Sequence, residues 1–162
     1  MQIKNDLSKE SVERLSKLVH RMIITEPQLT NRNKRQIFRW ILKKQIHIAF
    51  HQGKVIGFIV SEPIDTKYSE IKSWYVSPNY RNKQLGIRLL NTATRFAKVN
   101  YLLSSFDKSS TEKLYKHNFK IISYTDLPKD TVIRLLLSKR ISSIAKHLFT
   151  QKSYLLCKHA NI

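Results

Sequence analysis

The stretch from Glu70 to Leu90 constrains the fold most, because it combines the patterns of a strand, a tight loop and a helix. Residues 71–76 are rich in β-branched and aromatic side chains, which favours a strand, and Pro78 interrupts that pattern. The apolar residues that follow recur at helical spacing: Leu85, Leu89, Leu90, Ala93, Phe96 and Ala97. The sequence therefore predicts a strand that leads into a helix through residues 81–86.

This loop has the composition of an anion site. The first turn of a helix carries N–H groups without internal partners, and the helix dipole adds positive charge there. Gly86 has no side chain, so a phosphate can approach its backbone, while Arg81, Lys83 and Arg88 add cations. Two interpretations stay open at this point: a phosphate site, or an ordinary strand–helix connection with a solvated basic face.

The segment Val76-Ser-Pro-Asn-Tyr-Arg-Asn-Lys-Gln-Leu-Gly-Ile-Arg-Leu-Leu90 resembles the acetyl-CoA signature of the GNAT superfamily of N-acetyltransferases, roughly V-x-P-x-Y-R-G-x-G-I-G-x-x-L-L. The matching positions are Val76, Pro78, Tyr80, Arg81, Gly86, Leu89 and Leu90. Gln84 stands where the first core glycine is usual, and Asn82 stands where another glycine is frequent. The resemblance extends more loosely over residues 8–124.

The resemblance implies a mixed α/β (α+β) fold: a central, mostly antiparallel sheet that is splayed at the cofactor cleft and flanked by helices. It implies one N-acetyltransferase domain over residues 1–162, with a helical insertion near 128–149, and acetyl-CoA as co-substrate. The implied pantetheine contacts are Trp74, Tyr75 and Val76, with Lys108 or Ser109 near the position of a further contact. The implied pyrophosphate contacts are Arg81, Asn82, Lys83, Gln84, Leu85, Gly86 and Ile87.

Two side chains are candidates for acid–base chemistry in acetyl transfer to a primary amine. Glu70 lies six residues before Val76, where members of the superfamily place a catalytic glutamate, so we expect it to be the general base. Tyr115 is the candidate general acid, because Leu-Tyr-Lys-His-Asn-Phe119 resembles the superfamily's second motif with the tyrosine one position out of register. The alternatives are a solvated strand-end glutamate and a tyrosine of the core or cofactor wall.

The rest of the chain predicts the remaining elements of such a domain. Helices are expected after Ser8, after Thr30 and after Leu127, and Asn118 is expected to end a short helix in left-handed conformation. Gly57 predicts close packing or a bulge in its strand. Alternation of apolar and polar residues predicts a strand at residues 46–50, and further apolar segments predict strands at residues 55–60, 101–106, 120–125 and 153–157.

Charge and cysteine content limit compartment and partners. The net charge of +19 permits attraction to nucleic acid or the ribosome, although compositional drift explains it equally well. One cysteine, Cys157, excludes an internal disulfide framework, and no histidine has metal-ligand spacing, so no metal is expected. We expect a cytoplasmic protein without a membrane partner, and we leave a homodimer open. The alternative functions are a non-catalytic CoA- or RNA-binding module and a tRNA-directed acetyltransferase.

Overall fold

The computed structural model describes residues 9–25, 29, 32–81, 84–95, 99–105, 112, 114–138 and 154–159. Four helices are described in this part of the chain: α1 Lys9–Thr25, α2 Lys34–Leu42, α3 Leu85–Ala93 and α4 Lys129–Ser138. The strands are β1 Ile46–His51, β2 Lys54–Pro63, β3 Tyr68–Val76, β4 Asn100–Ser105, β5 Phe119–Ile122 and β6 Tyr154–Lys158.

The strands form a six-stranded sheet in the order β1-β2-β3-β4-β6-β5. The β3–β4 pair is parallel, with Tyr68 opposite Asn100 and Ile71 opposite Leu103, whereas β6 is antiparallel to both of its neighbours. The mixed α/β fold with a mostly antiparallel sheet and flanking helices is thereby confirmed. The last strand lies between β4 and β5, which residue patterns along the chain do not reveal.

The chain divides into two compact units. The first unit comprises Met1–Glu62 and Lys72–Arg95. Its core places apolar faces of α1 and α2 against β1, β2 and Tyr75, and both Val19 and Trp40 are almost fully buried. Those faces form because apolar residues recur at helical spacing on each helix.

The second unit comprises Pro63–Ile71 and Phe96–Ile162. Leu135 of α4 packs with residues of β4 and β6, including Cys157. Asp65 fixes the turn before β3, because its carboxylate accepts the N–H groups of Lys67 and Tyr68 and the hydroxyl of Thr131 at 2.7 Å. Burial opposes ionisation of Asp65, but these hydrogen bonds and nearby Arg134 lower the pKa of the carboxyl.

Several boundaries differ from the sequence prediction. The α3 helix ends at Ala93, because the Thr94 backbone leaves the helical region at φ of −108° and ψ of 23°. The β5 strand ends at Ile122 rather than at residue 125, because Ser123 begins a capped 3₁₀ turn. Phe96 and Ala97, the proposed caps Ser8 and Thr30, and the predicted insertion beyond Ser138 lie outside the described residues.

Gly57 fulfils both expectations for its strand. The β1–β2 ladder shifts register between Ala49 and Phe50, which places a bulge next to Gly57. A Cβ atom at Gly57 would lie 2.8 Å from the Tyr75 carbonyl oxygen, so only glycine fits. In the described part of the chain, no helix has the length and apolar character needed to cross a membrane.

Candidate active site

The loop after β3 folds back on its own strand. The Ser77 N–H donates to the Ile56 carbonyl at 2.9 Å, and Pro78–Tyr80 forms a 3₁₀ turn. Arg81 Nε then donates to the Val76 carbonyl oxygen at 3.2 Å. Since a guanidinium has five N–H donors, the exposed Arg81 side chain can hold the loop and still bind an anion.

Gln84 has the backbone conformation that its glycine-like position in the motif requires. Its φ and ψ angles are 55° and 11°, in the left-handed region, directly before α3. A non-glycine residue there costs about 1–2 kcal/mol. Gln84 therefore adopts a conformation that glycine adopts without strain, at the position where the motif has a glycine.

The start of α3 has no side-chain cap from the residue before it. The Gln84 side chain makes no capping hydrogen bond, and the Arg88 N–H forms a first-turn hydrogen bond of 3.0 Å with the Gln84 carbonyl. The amides that precede Arg88 in the helix have no intrahelical partner. Leu85 is the first residue of α3, and it is 3% exposed because its side chain packs in the core. Unpaired amides at a helix N-terminus suit a phosphate group. Ile87, in the same turn, is partly buried.

Gly86 packs against an aromatic ring of β3. A Cβ atom at Gly86 would lie 3.3 Å from Cζ2 of Trp74 and 3.7 Å from its Nε1. Glycine therefore lets the helix start approach the indole of Trp74, a role that the motif alone does not predict. The Trp74 Nε1–H group is buried without a hydrogen-bond partner among the described residues, which is a costly state for a donor.

The other two pantetheine candidates differ in how their side chains are placed. The Tyr75 ring is 8% exposed and lies 5.9 Å from the Phe58 ring, so this side chain belongs to the core. Val76 is partly buried, and its carbonyl is the acceptor for Arg81. The Tyr75 side chain is therefore buried in the core, and the Val76 carbonyl already accepts a hydrogen bond from Arg81.

The acid–base candidates lie in the second unit. Glu70 is 6% exposed on β3. Tyr115 is 45% exposed, whereas the adjacent Leu114 is buried. Asn118 follows with φ of 63°, which confirms the left-handed residue predicted there, and its N–H donates to the Tyr115 carbonyl at 3.2 Å.

The structure thus brings together five predicted residues of the first unit, Trp74, Val76, Arg81, Gln84 and Gly86. It also shows an ion pair that the sequence did not signal, between Lys72 Nζ and Glu62 at 2.6 Å. The predicted contacts Asn82, Lys83, Lys108 and Ser109 lie outside the described residues.

Metal and thiol chemistry have no support in the described part of the chain. No cluster of three or more histidine, cysteine or acidic residues is arranged there to hold a metal ion. Burial raises the pKa of the Cys157 thiol to about 11, so it stays protonated at neutral pH. Cys157 is therefore a small buried residue rather than a nucleophile.

Known structures share this fold. A Mycobacterium tuberculosis protein in complex with CoA superposes with a TM-score of 0.71 at 16% identity, over 100% of both chains. N-acetylglutamate synthase from Neisseria gonorrhoeae, complexed with CoA and N-acetyl-glutamate, gives 0.68 at 17% identity over 99% of this chain. The present chain spans only 35% of that synthase. An Arabidopsis thaliana protein in complex with a CoA-containing bisubstrate analogue gives 0.62 at 14% identity over 97% of both chains.

Sequence comparison points the same way. No curated protein is significantly similar to the chain. The profile of the acetyltransferase (GNAT) family, however, matches residues 13–119, which include β3, the Arg81 loop and α3. Two of these structural relatives were solved with CoA bound. The chain belongs to the acetyltransferase (GNAT) family.

Proposed function

We propose that this protein transfers the acetyl group of acetyl-CoA to a primary amine by direct attack, without a covalent enzyme intermediate. The observation that carries the proposal is the start of α3, an uncapped helix turn entered through the left-handed Gln84 and lying on the indole of Trp74. Such a turn supplies backbone donors for a diphosphate. Lys83, Arg81 and Ile87 belong to the same proposed contact set, with Asn82 and Leu85.

In the proposed reaction, a neutral amine attacks the thioester carbonyl, a C–N bond forms and the C–S bond breaks. Glu70 takes the proton that the amine loses, and Tyr115 supplies a proton to the leaving thiolate. Since Glu70 is only 6% exposed, we place a water molecule between its carboxylate and the amine. The backbone near Val76 polarises the carbonyl oxygen as negative charge develops on it.

A small amine or amino acid is the acceptor that we propose first. The synthase from Neisseria gonorrhoeae was solved with N-acetyl-glutamate, and the Arabidopsis thaliana protein with a bisubstrate analogue. Both are consistent with an amine-bearing acceptor opposite the thioester. A charged tRNA or a ribosomal protein N-terminus is the larger alternative that the net charge of +19 would suit.

The proposal is tested by following release of free CoA thiol with a panel of amines, polyamines, amino acids and charged tRNA. Direct attack predicts intersecting double-reciprocal lines, and it predicts no burst of thiol when the acceptor is left out. Parallel lines with an acceptor-independent burst would indicate a covalent intermediate and contradict the mechanism. Tight acetyl-CoA binding with no thiol release for any acceptor would favour the non-catalytic module.

A further inference from the structure

We propose that the outer face of α1 and α2 binds single-stranded nucleic acid, with its phosphates on α2 and a base in the groove between the helices. The proposal is independent of acetyl transfer. It concerns only the first unit, in which both helices lie. Hereafter this surface is called the α1–α2 face, and it is defined by Glu13, Ser16, Lys34, Arg35, Phe38, Arg39 and Lys43.

The charge on the α2 side of this surface is concentrated and of one sign. No aspartate or glutamate occurs between Glu26 and Glu62, a stretch that includes all of α2. Within it, the exposed cations of the α1–α2 face are Lys34, Arg35, Arg39 and Lys43. Arg35, Arg39 and Lys43 follow one another at intervals of four residues, so they form a row along the helix. A row of cations can follow a phosphate backbone.

Two of these cations occupy positions that weaken the helix. Lys34 and Arg35 stand in the first turn of α2, which contains no acidic residue. The positive end of the helix dipole favours acids there, by typically about 0.3–1 kcal/mol each. Asn33 already caps this turn through its bond with the Gln36 N–H at 2.8 Å, so capping does not explain the cations. An anion bound nearby would offset the repulsion.

The groove adds an aromatic surface to this charge. It has a volume of about 550 Å³ and is lined by Glu13, Ser16, Lys34, Arg35 and Phe38, a size typical of ligand sites. Phe38 is partly buried, so its ring is fixed while one side lines the groove. Aromatic rings beside cations are the usual platform for unstacked bases.

Glu13 determines the orientation of the nucleic acid in the groove. Its carboxylate repels phosphate but can accept hydrogen bonds from the amino group of a base. The Ser16 hydroxyl donates to the Glu13 carbonyl at 2.8 Å and is therefore already engaged. Phosphates consequently lie on the α2 side of the groove and the base lies against Phe38. An acidic protein surface would place carboxylates beside Glu13 without using the ring.

The test measures binding of a fluorescent oligouridine to the full chain by anisotropy over a range of salt concentrations. Each phosphate contact with a single strand contributes about 0.7 to the slope of log affinity against log salt. Replacing three contacts in K34E/R35E/R39E lowers this slope by about 2. The ratio of the affinity of the natural sequence to that of the variant should then be about a hundredfold larger at about 0.1 M salt than at about 1 M salt.

The matched control is K116E/K120E/K129E, which changes the net charge equally at exposed lysines of the second unit. Its loss of affinity must be clearly smaller, because those lysines contact no phosphate in the proposal. Lys34→Glu and Arg35→Glu place acids in the first turn of α2, where they favour the helix, whereas Arg39→Glu places an acid in the last turn, where it opposes the helix dipole. Unchanged acetyl-CoA affinity and an unchanged circular dichroism spectrum would show that K34E/R35E/R39E is folded.

The ring is tested by F38L, which keeps an apolar side chain under the groove but removes the stacking surface. We expect at least about a fivefold loss for oligouridine, which is the lower end of the range for stacking on one base, and no loss for duplex RNA. The proposal is overturned if the control variant loses as much affinity as K34E/R35E/R39E, or if F38L binds oligouridine normally. Equal competition by polyglutamate would overturn it in favour of an acidic protein partner.

Discussion

The contact between Gly86 and Trp74 leads to a prediction about why the motif glycine is needed. In Gly86→Ala, the new methyl group points at the indole, 3.3 Å from Cζ2. Either the ring or the start of α3 must therefore move by a few tenths of an ångström. Alanine gains up to about 1 kcal/mol in helix propensity, but overpacking a filled site typically costs about 1–3 kcal/mol. We expect a net destabilisation of about 1 kcal/mol.

The same movement displaces the first-turn amides that hold the diphosphate. Acetyl-CoA affinity should therefore fall about tenfold, equivalent to about 1.4 kcal/mol. The nearest atoms to the new methyl group all belong to Trp74, so the loss is transmitted through the ring. Trp74→Phe replaces the indole by a smaller ring that lacks the indole atoms nearest the new methyl group (Cζ2, Cε2 and Nε1), and it should make Gly86→Ala nearly neutral for both stability and affinity.

A double-mutant cycle over Gly86→Ala and Trp74→Phe measures this coupling. Urea unfolding gives the free energy of unfolding, and isothermal titration calorimetry gives the Kd for acetyl-CoA. We expect a coupling of about 1 kcal/mol in both quantities, within the range for residues in contact. If Gly86→Ala weakens acetyl-CoA binding equally in the Trp74→Phe background, the methyl group obstructs the phosphate directly, and the packing explanation is wrong.

Three further predictions concern other residues. Gln84→Gly should raise the free energy of unfolding by about 1 kcal/mol, because glycine adopts φ of 55° without strain; Gln84→Ala keeps the strain and should give no gain in the same urea titration. Glu70→Gln should lower kcat and leave the Kd for acetyl-CoA unchanged, because the amide cannot accept the proton; equal kcat for both proteins would remove Glu70 from the mechanism. The pKa of Asp65 is lowered below its ordinary value of 3.8, so the stability it contributes is present above that pH and is lost as the pH falls through the folded-state pKa. Thr131→Val removes one of the hydrogen bonds that lower the pKa and should reduce the loss of stability between neutral and acidic pH, whereas an unchanged pH dependence would mean that the Thr131 bond does not act on Asp65.

Local patterns predicted the elements, because apolar spacing and turn residues are properties of neighbouring positions. The left-handed conformation of Asn118 follows from the turn-forming character of asparagine. The ends of helices and strands were less predictable where pairing with a residue distant in the sequence determines them. The β3 strand begins at Tyr68, three residues before the predicted start, because Tyr68 pairs with Asn100, and no local pattern marks that pairing.

The candidate site was predictable only where the motif is explicit. Arg81 was expected to bind phosphate, but its bond to the Val76 carbonyl depends on how the loop turns. Glutamine disfavours left-handed backbone, so only alignment with the motif glycine hints at the conformation of Gln84. The Trp74 indole against Gly86 is a tertiary contact between a strand and a helix, and residue type alone does not specify it.

The central claim is that the first-turn amides of α3 bind the diphosphate of acetyl-CoA. The most direct test is to follow the backbone ¹H–¹⁵N resonances of Leu85, Gly86 and Ile87 during titration with CoA and, separately, with pantetheine, which lacks the diphosphate. The account predicts large shifts of these three amides with CoA and little change with pantetheine. Saturable CoA binding that leaves all three amide resonances in place would contradict it.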